Sequence, residues 1–147
     1  MLVIKFKILK AKMKNKKTIV SAIVTIGLAA LTFSSKTFGQ QPGTKRTDLQ
    51  RHDLSAAGRE VIQVRVDFDA GYVAPRHTHP GEEIIYVLEG TLEYQIEGQP
   101  TRTVKAGDVL FVPAETIHSA KNIGSGNGAE LATYVVEKGK PLITVVK

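Results

Sequence analysis

His77 and His79 flank Thr78. In an extended strand the side chains alternate between faces, so both imidazoles point the same way. Glu83 follows four residues after His79, beyond a Pro80-Gly81 turn, and His118 lies on a later segment just after Pro113. Two imidazoles at period two, a carboxylate beyond a turn and a third, remote imidazole form a nitrogen/oxygen ligand set for one divalent transition metal. Three His and one Glu leave positions open on a five- or six-coordinate ion, which suits a working site more than a closed structural one. Mn, Fe, Co, Ni, Cu and Zn all accept such a set. A His-x-His pair taken alone is more often a surface or core feature than a pair of metal ligands. The fourth histidine, His52, has no partner in the polar segment around it and reads as solvated. The chain has no Cys, which excludes thiolate metal sites, disulfides and Cys nucleophiles.

The elements that must hold these residues read as short strands between Gly and Pro turns. From about Thr47 onward no stretch shows helical periodicity. Ile62, Val64, Val66 and Phe68 alternate with Gln63, Arg65 and Asp67, as Leu92, Tyr94 and Ile96 do with Glu93, Gln95 and Glu97. Ile84–Leu88, Thr101–Lys105, Val109–Val112, Leu131–Val136 and Leu142–Val146 are further short strands, joined by turns such as Asp69-Ala70-Gly71 and Gly98-Gln99-Pro100. Strands at this spacing predict an all-β sandwich or barrel. The polar segment 40–48 is expected to be a linker or an early edge, which leaves the folded domain at 49–147.

Charge divides the chain differently. Of 20 Lys and Arg, eight lysines lie in residues 1–39 with no acidic partner, although the whole chain carries 14 Asp and Glu and a net charge of +6. The remaining 108 residues hold 12 basic and 14 acidic side chains, a body of charge −2. That distribution is no basic stripe for nucleic acid. Seven lysines between Lys5 and Lys17, followed by the uncharged run TIVSAIVTIGLAALTFSS, give the layout of a secretory signal peptide. Thr37 and Gly39 are small residues suited to a cut before Gln40, and Met13 gives an alternative start of more ordinary length. The expected product is exported, periplasmic or secreted, with no membrane association after cleavage. An uncleaved anchor helix is the alternative.

The histidine segments also resemble the two motifs of the cupins. The first motif is matched at every fixed position by Gly71, five residues, His77-Thr78-His79, three residues, Glu83, six residues and Gly90. The second is matched by Gly107, five residues, Pro113-Ala114-Glu115, two residues, His118, three residues and Asn122, with Glu115 where the family pattern has Gly. The resemblance implies an antiparallel double-stranded β-helix, or jelly-roll barrel, with one metal inside. By position His77, His79, Glu83 and His118 would be its ligands. Glu82, one residue off the motif, would face the other way on a strand. Gly71, Gly90 and Gly107 are expected at positive φ, and Asn122 is expected to be structural. Glu115 puts the turn geometry in question, because Glu resists positive φ, and it is alternatively a carboxylate at the pocket mouth. Arg76, Tyr86 and Tyr94 are polar pocket candidates, with Arg76 expected in solvent.

Cupins host many activities, so fold alone does not set this one. All four ligand positions are filled, and the body is a single barrel. That combination favours a small metal-dependent enzyme acting on an organic small molecule, resembling the dioxygenase-like cupins, with Glu83 either a ligand throughout or a base. A non-catalytic metal-containing binding protein and a non-oxidative lyase, decarboxylase or isomerase are the alternatives. A homodimer is expected from the resemblance and from the open edges of a jelly roll.

Overall fold

A strand buried on one face must repeat its apolar residues at period two, because any other period carries them into solvent. In the computed structural model, which describes residues 42–147, that rule is met along β2 (Arg59–Phe68), where Ile62, Val64, Val66 and Phe68 are buried and each intervening residue is half-buried. The expected signal peptide at 1–39 lies outside the described residues. Every described element is a strand: β1 (Thr44–Asp53), β2, β3 (His77–Thr78), β4 (Gly81–Glu89), β5 (Thr91–Ile96), β6 (Arg102–Lys105), β7 (Val109–Val112), β8 (His118–Asn122), β9 (Gly128–Glu137) and β10 (Thr144–Val145).

These strands form two antiparallel five-stranded sheets, in the orders β1-β2-β9-β4-β7 and β10-β3-β8-β5-β6. Neighbours distant in sequence, such as β2 with β9 and β3 with β8, are the crossovers of a jelly roll. The expected all-β double-stranded β-helix is therefore the observed fold. Its core interleaves Val64, Ile85, Leu110, Val112 and Val136 of the first sheet with Leu92, Tyr94, Ile96 and Val104 of the second.

Of the two readings of segment 40–48, linker or early edge, β1 takes the second. Thr44–Asp48 already belong to the sheet, pairing from Thr44 opposite Phe68 to Asp48 opposite Val64. No apolar alternation marks this strand, because it is an edge held by its main-chain ladder to β2 and by Arg51, whose Nε and Nη2 donate to the Glu60 carboxylate at 2.5 and 2.7 Å. Asn122 is structural as expected. It is buried, and its Nδ2 donates to the carbonyls of Phe68 and Gly126 at 2.9 and 2.8 Å, tying the end of β2 to the loop before β9.

Gly71, Gly90 and Gly107 all have positive φ. At Gly90 the requirement is double, since a Cβ would sit 2.7 Å from the Asn127 carbonyl oxygen and 2.9 Å from Gly128 Cα. Glu115 adopts φ +55° in the turn before β8, and its N–H donates to the His79 carbonyl at 3.0 Å. Its side chain is exposed and does not line the cavity described below, so the sequence feature is turn variation, made at the cost of left-handed backbone. That conformation costs an L-residue about 1–2 kcal/mol, of which the greater freedom of an unfolded Gly would return about 0.5–1 kcal/mol. Glu115→Gly should accordingly stabilise the domain by about 0.5–1 kcal/mol, read as a higher urea midpoint. An unchanged or lower midpoint would contradict this assignment of strain.

Candidate metal centre

The second sheet brings the histidines together. His77 on β3 lies directly opposite His118 on β8, and their rings stand 4.3 Å apart. His79 leaves β3 just before Pro80 and places its ring 4.9 Å from His77 and 5.0 Å from His118. One ligand atom from each of the three lies within 4.8 Å of the other two, so the three could hold one ion. Glu83 comes from the first sheet, on the inward row of β4 with Ile85 and Val87, and is buried. Its Oε2 lies 3.3 Å from His79 Nε2 and 3.1 Å from His118 Nε2. Glu82 faces away, as its parity requires.

Backbone carbonyls fix the ring orientations. Nδ1 of His77 bonds the Pro75 carbonyl at 2.7 Å, Nδ1 of His79 that of Leu142 at 2.6 Å, and Nδ1 of His118 that of Thr116 at 2.9 Å. A carbonyl only accepts, so each Nδ1 carries the proton, and each neutral ring presents an Nε2 lone pair. Nε2 of His79 and of His118 is buried with no hydrogen-bond partner, although the Glu83 carboxylate is close. Buried acceptors that converge on one another repel unless a cation lies between them. Two ligands each about 2.1 Å from one ion and at right angles are about 3.0 Å apart, close to the nitrogen–oxygen spacings observed here. The residues present therefore fit a divalent metal, and the Nδ1–carbonyl bonds are the support such ligands usually have.

In the absence of an ion the same groups perturb one another. Burial alone would raise the Glu83 pKa, but the imidazoles of His118 and His79 outweigh it and hold the carboxyl below the usual carboxylate range. Burial likewise opposes charge on His118, and Glu83 outweighs it, leaving His118 raised. Burial, then repulsion from His118, pushes His77 down to about 4.

Against this cluster opens a cavity of about 250 Å³. His77, Glu83 and His118 form part of its wall, with Tyr94 from β5, Glu130 and Tyr134 from β9, and Arg46 from β1. The family model of the cupin domain matches residues 64–137. The chain belongs to the cupin family. Germin-like protein 1-1 of Oryza sativa is 39% identical over 79 residues, which is 50% of this chain and 37% of that protein. Among solved structures, a recombinant oxalate oxidase in complex with glycolate is 28% identical with a TM-score of 0.58, covering 71% of this chain and 56% of its own. The dimethylsulfoniopropionate lyase DddQ of Ruegeria pomeroyi is 25% identical with a TM-score of 0.58, covering 71% and 52%. The chain spans about half or less of the length of the curated relatives it matches first.

Within this cupin barrel the other expected residues divide. Tyr94 is fully buried and lines the cavity. Tyr86 is 45% exposed on the outer face of β4, because its parity is opposite to that of Glu83, and it is not a pocket residue. Arg76 is in solvent, 3.7 Å from Glu97. His52 is exposed on β1.

Arg46, Glu130 and Tyr134 were not anticipated. Glu130 and Tyr134 lie in phase with Ala132 and Val136, so a Glu at an inward position of an apolar strand was the available signal. Arg46 lies in the polar segment read as a linker or an early edge, where no alternation marks it as inward-facing. Tyr94 donates its hydroxyl to Glu130 Oε2, and Arg46 Nη2 donates to the Tyr134 hydroxyl at 3.2 Å. Burial, then the charge of Glu83, pushes Glu130 up to about 8 against the opposing pulls of Tyr94 and Arg46.

An acid raised from 4.5 to about 8 keeps a proton in the fold that the unfolded chain releases. Its contribution to stability is intact below pH 4.5 and is lost as pH rises towards about 8. In the metal-free protein Glu130→Gln should flatten the fall in urea midpoint across that window. It should also abolish a carboxylic-acid carbonyl band in the infrared. An identical pH slope in both proteins, or no such band in the wild type, would contradict a protonated Glu130.

Proposed function

We propose that this cupin is a small, exported, metal-dependent enzyme of dioxygenase-like type acting on an organic small molecule, with His77, His79, Glu83 and His118 as ligands of one divalent ion. The observation that carries the proposal is the convergence of three imidazoles and the buried Glu83 carboxylate, with Nε2 of His79 and of His118 lacking a hydrogen-bond partner, on the wall of a cavity. A divalent ion bound there supplies a Lewis acid at the cavity wall. The chain's own residues do the rest. The Pro75, Leu142 and Thr116 carbonyls hold the three rings in the tautomer that binds a cation. Glu83 neutralises part of that charge. The apolar wall, with Val66 and Phe68, limits competing water.

Likeness to an oxalate oxidase supports the oxidative form of the proposal. Likeness to a dimethylsulfoniopropionate lyase favours a second, non-oxidative form. Oxygen consumption by the metal-loaded protein with phenolic and keto-acid compounds separates them. Turnover without oxygen selects the second, and binding without turnover selects a non-catalytic binding protein. Export is supported by the Lys-rich front and the uncharged run behind it, and N-terminal sequencing of protein recovered from its source should find a start near Gln40.

Three ring nitrogens share the load of binding, so His77→Ala, His79→Ala and His118→Ala should each reduce bound metal from stoichiometric to a minor fraction by elemental analysis. Glu83→Ala should retain more metal than these and lose activity. His52→Ala, on the exposed face of β1, should match the wild type. Folded His77→Ala and His118→Ala proteins that keep a full equivalent would overturn the ligand assignment.

The proposed homodimer is supported by the outer face at the β7 edge of the first sheet. There Ile84 lies opposite Phe111 and Tyr86 opposite Val109, all 45–63% exposed. A contiguous apolar stripe beside an unpaired edge is what a second copy of the same sheet would cover. Phe111→Lys should halve the mass measured by light scattering at micromolar concentration. A wild-type mass of one chain would sink the dimer.

A further inference from the structure

We propose that the cavity takes its small-molecule substrate as a carboxylate, held by the Arg46 guanidinium and the Tyr134 hydroxyl. This rests on the reading of the cavity as a substrate site. The edge strand β1 is exposed along most of its length, and Thr44 and Arg46 are its half-buried positions, both on the cavity wall. Register places Arg46 opposite Val66, which lies opposite Glu130 on the next strand. An edge strand that turns an arginine inward carries the cost of partly dehydrating a cation.

That cation has no carboxylate partner. Among the described residues no carboxylate oxygen lies within 4.0 Å of the guanidinium. Its hydrogen bond goes to Tyr134, a neutral oxygen, at 3.2 Å, and its carbon lies 5.8 Å from the Tyr134 ring centre. A guanidinium has five N–H donors, so most remain unspent. Tyr134 accepts from Arg46, and its own hydroxyl proton has no acceptor among the described residues. The two nearby acids are committed elsewhere: Glu130 accepts from Tyr94, and Glu83 faces the imidazoles. Two adjacent donors with unspent hydrogens, one cationic, in a wall otherwise built of residues such as Phe68, Ala74 and Ile143, are matched by an anion.

Charge and size narrow the class. Three neutral imidazoles and Glu83 leave a divalent ion with net charge +1, and Arg46 adds another positive charge. The cavity of about 250 Å³ has the volume of about eight water molecules. A small organic carboxylate fits that space and matches the planar fork of the guanidinium.

Glycolate and its neutral isostere glycolamide are the probes, titrated calorimetrically into wild-type, Arg46→Ala, Arg46→Gln and Tyr134→Phe proteins, with metal content measured on each. Wild-type protein should bind glycolate at least about 10-fold more tightly than glycolamide. Arg46→Ala and Arg46→Gln should each weaken glycolate by about 10- to 100-fold with glycolamide and metal content unchanged. Tyr134→Phe should show a smaller loss. The carboxylate-over-amide preference and its dependence on Arg46 should persist, at weaker affinity, in metal-free protein. Failure of the metal assignment is thus visible in the elemental analysis and failure of this proposal in the amide comparison. Equal affinity for the two probes, wild-type glycolate affinity in both Arg46 variants, no glycolate binding at all, or tighter binding of inorganic phosphate than of glycolate would each overturn the proposal.

Discussion

Three hydrogen bonds from imidazole Nδ1 atoms to backbone carbonyls govern this molecule's chemistry. Each fixes a tautomer as well as a ring angle, and together they force the Nε2 lone pairs to converge. The carbonyls belong to Pro75, Leu142 and Thr116, which precede β3, β10 and β8 respectively. Two of the bonds are local, each reaching the carbonyl two residues before its ring, and the strand order β10-β3-β8 brings the third acceptor, Leu142, to His79 and the His118 ring to His77. Leu142 is itself buried in the core, which ties the orientation of His79 to core packing. The short β3 and β10 add little ladder energy of their own. They hold their places because neighbouring strands and the apolar interior hold them.

The first sheet contributes the charges. Glu83, Glu130, Tyr134 and Arg46 all come from its inward rows, and they do not act independently. Glu83 stays ionised through the imidazoles, and its charge helps keep Glu130 protonated. A cation bound among the histidines would cancel that field, and the Glu130 pKa would then fall towards what burial, Tyr94 and Arg46 dictate. Metal binding and the protonation of a cavity acid are thereby coupled across one apolar interior, with no moving part required.

Much of this was legible in the sequence, for a definite reason. Burial on one face imposes period two, so Ile62 to Phe68 and Leu92 to Ile96 announce their strands. The cupin motifs place His77, His79, Glu83 and His118 at spacings that only strands and tight turns satisfy. What escaped has an equally definite cause. β1 is held by main-chain pairing, which leaves no mark on side-chain type, and Arg46 went unnoticed with it. Glu130 sits one residue before the apolar run Leu131–Val136, where its inward parity is visible only once the strand is known to begin at Gly128. Tyr86 was misplaced by an apolar run, Ile84–Leu88, that is apolar on both faces: Ile85 and Val87 enter the core, and Ile84, Tyr86 and Leu88 do not. Glu115 broke a turn rule, and the turn formed nonetheless because its N–H is held by the His79 carbonyl.

The division between the sheets has a consequence for specificity. The imidazoles stand on or beside the second sheet, locked by loops that the first sheet does not build. Arg46, Glu130 and Tyr134 on the cavity wall stand on the first sheet, with Tyr94 facing them from the second, and Arg46 sits on an edge strand exposed along most of its length. On the proposed reading, a change at Arg46 would alter the charge the cavity prefers without touching the Pro75, Leu142 and Thr116 carbonyls that orient the histidines. Glu83 is the exception, since it belongs to the first sheet by register and to the histidines by contact. It is where the two halves of the site meet, so under the proposed function substitutions there would change metal and substrate chemistry together.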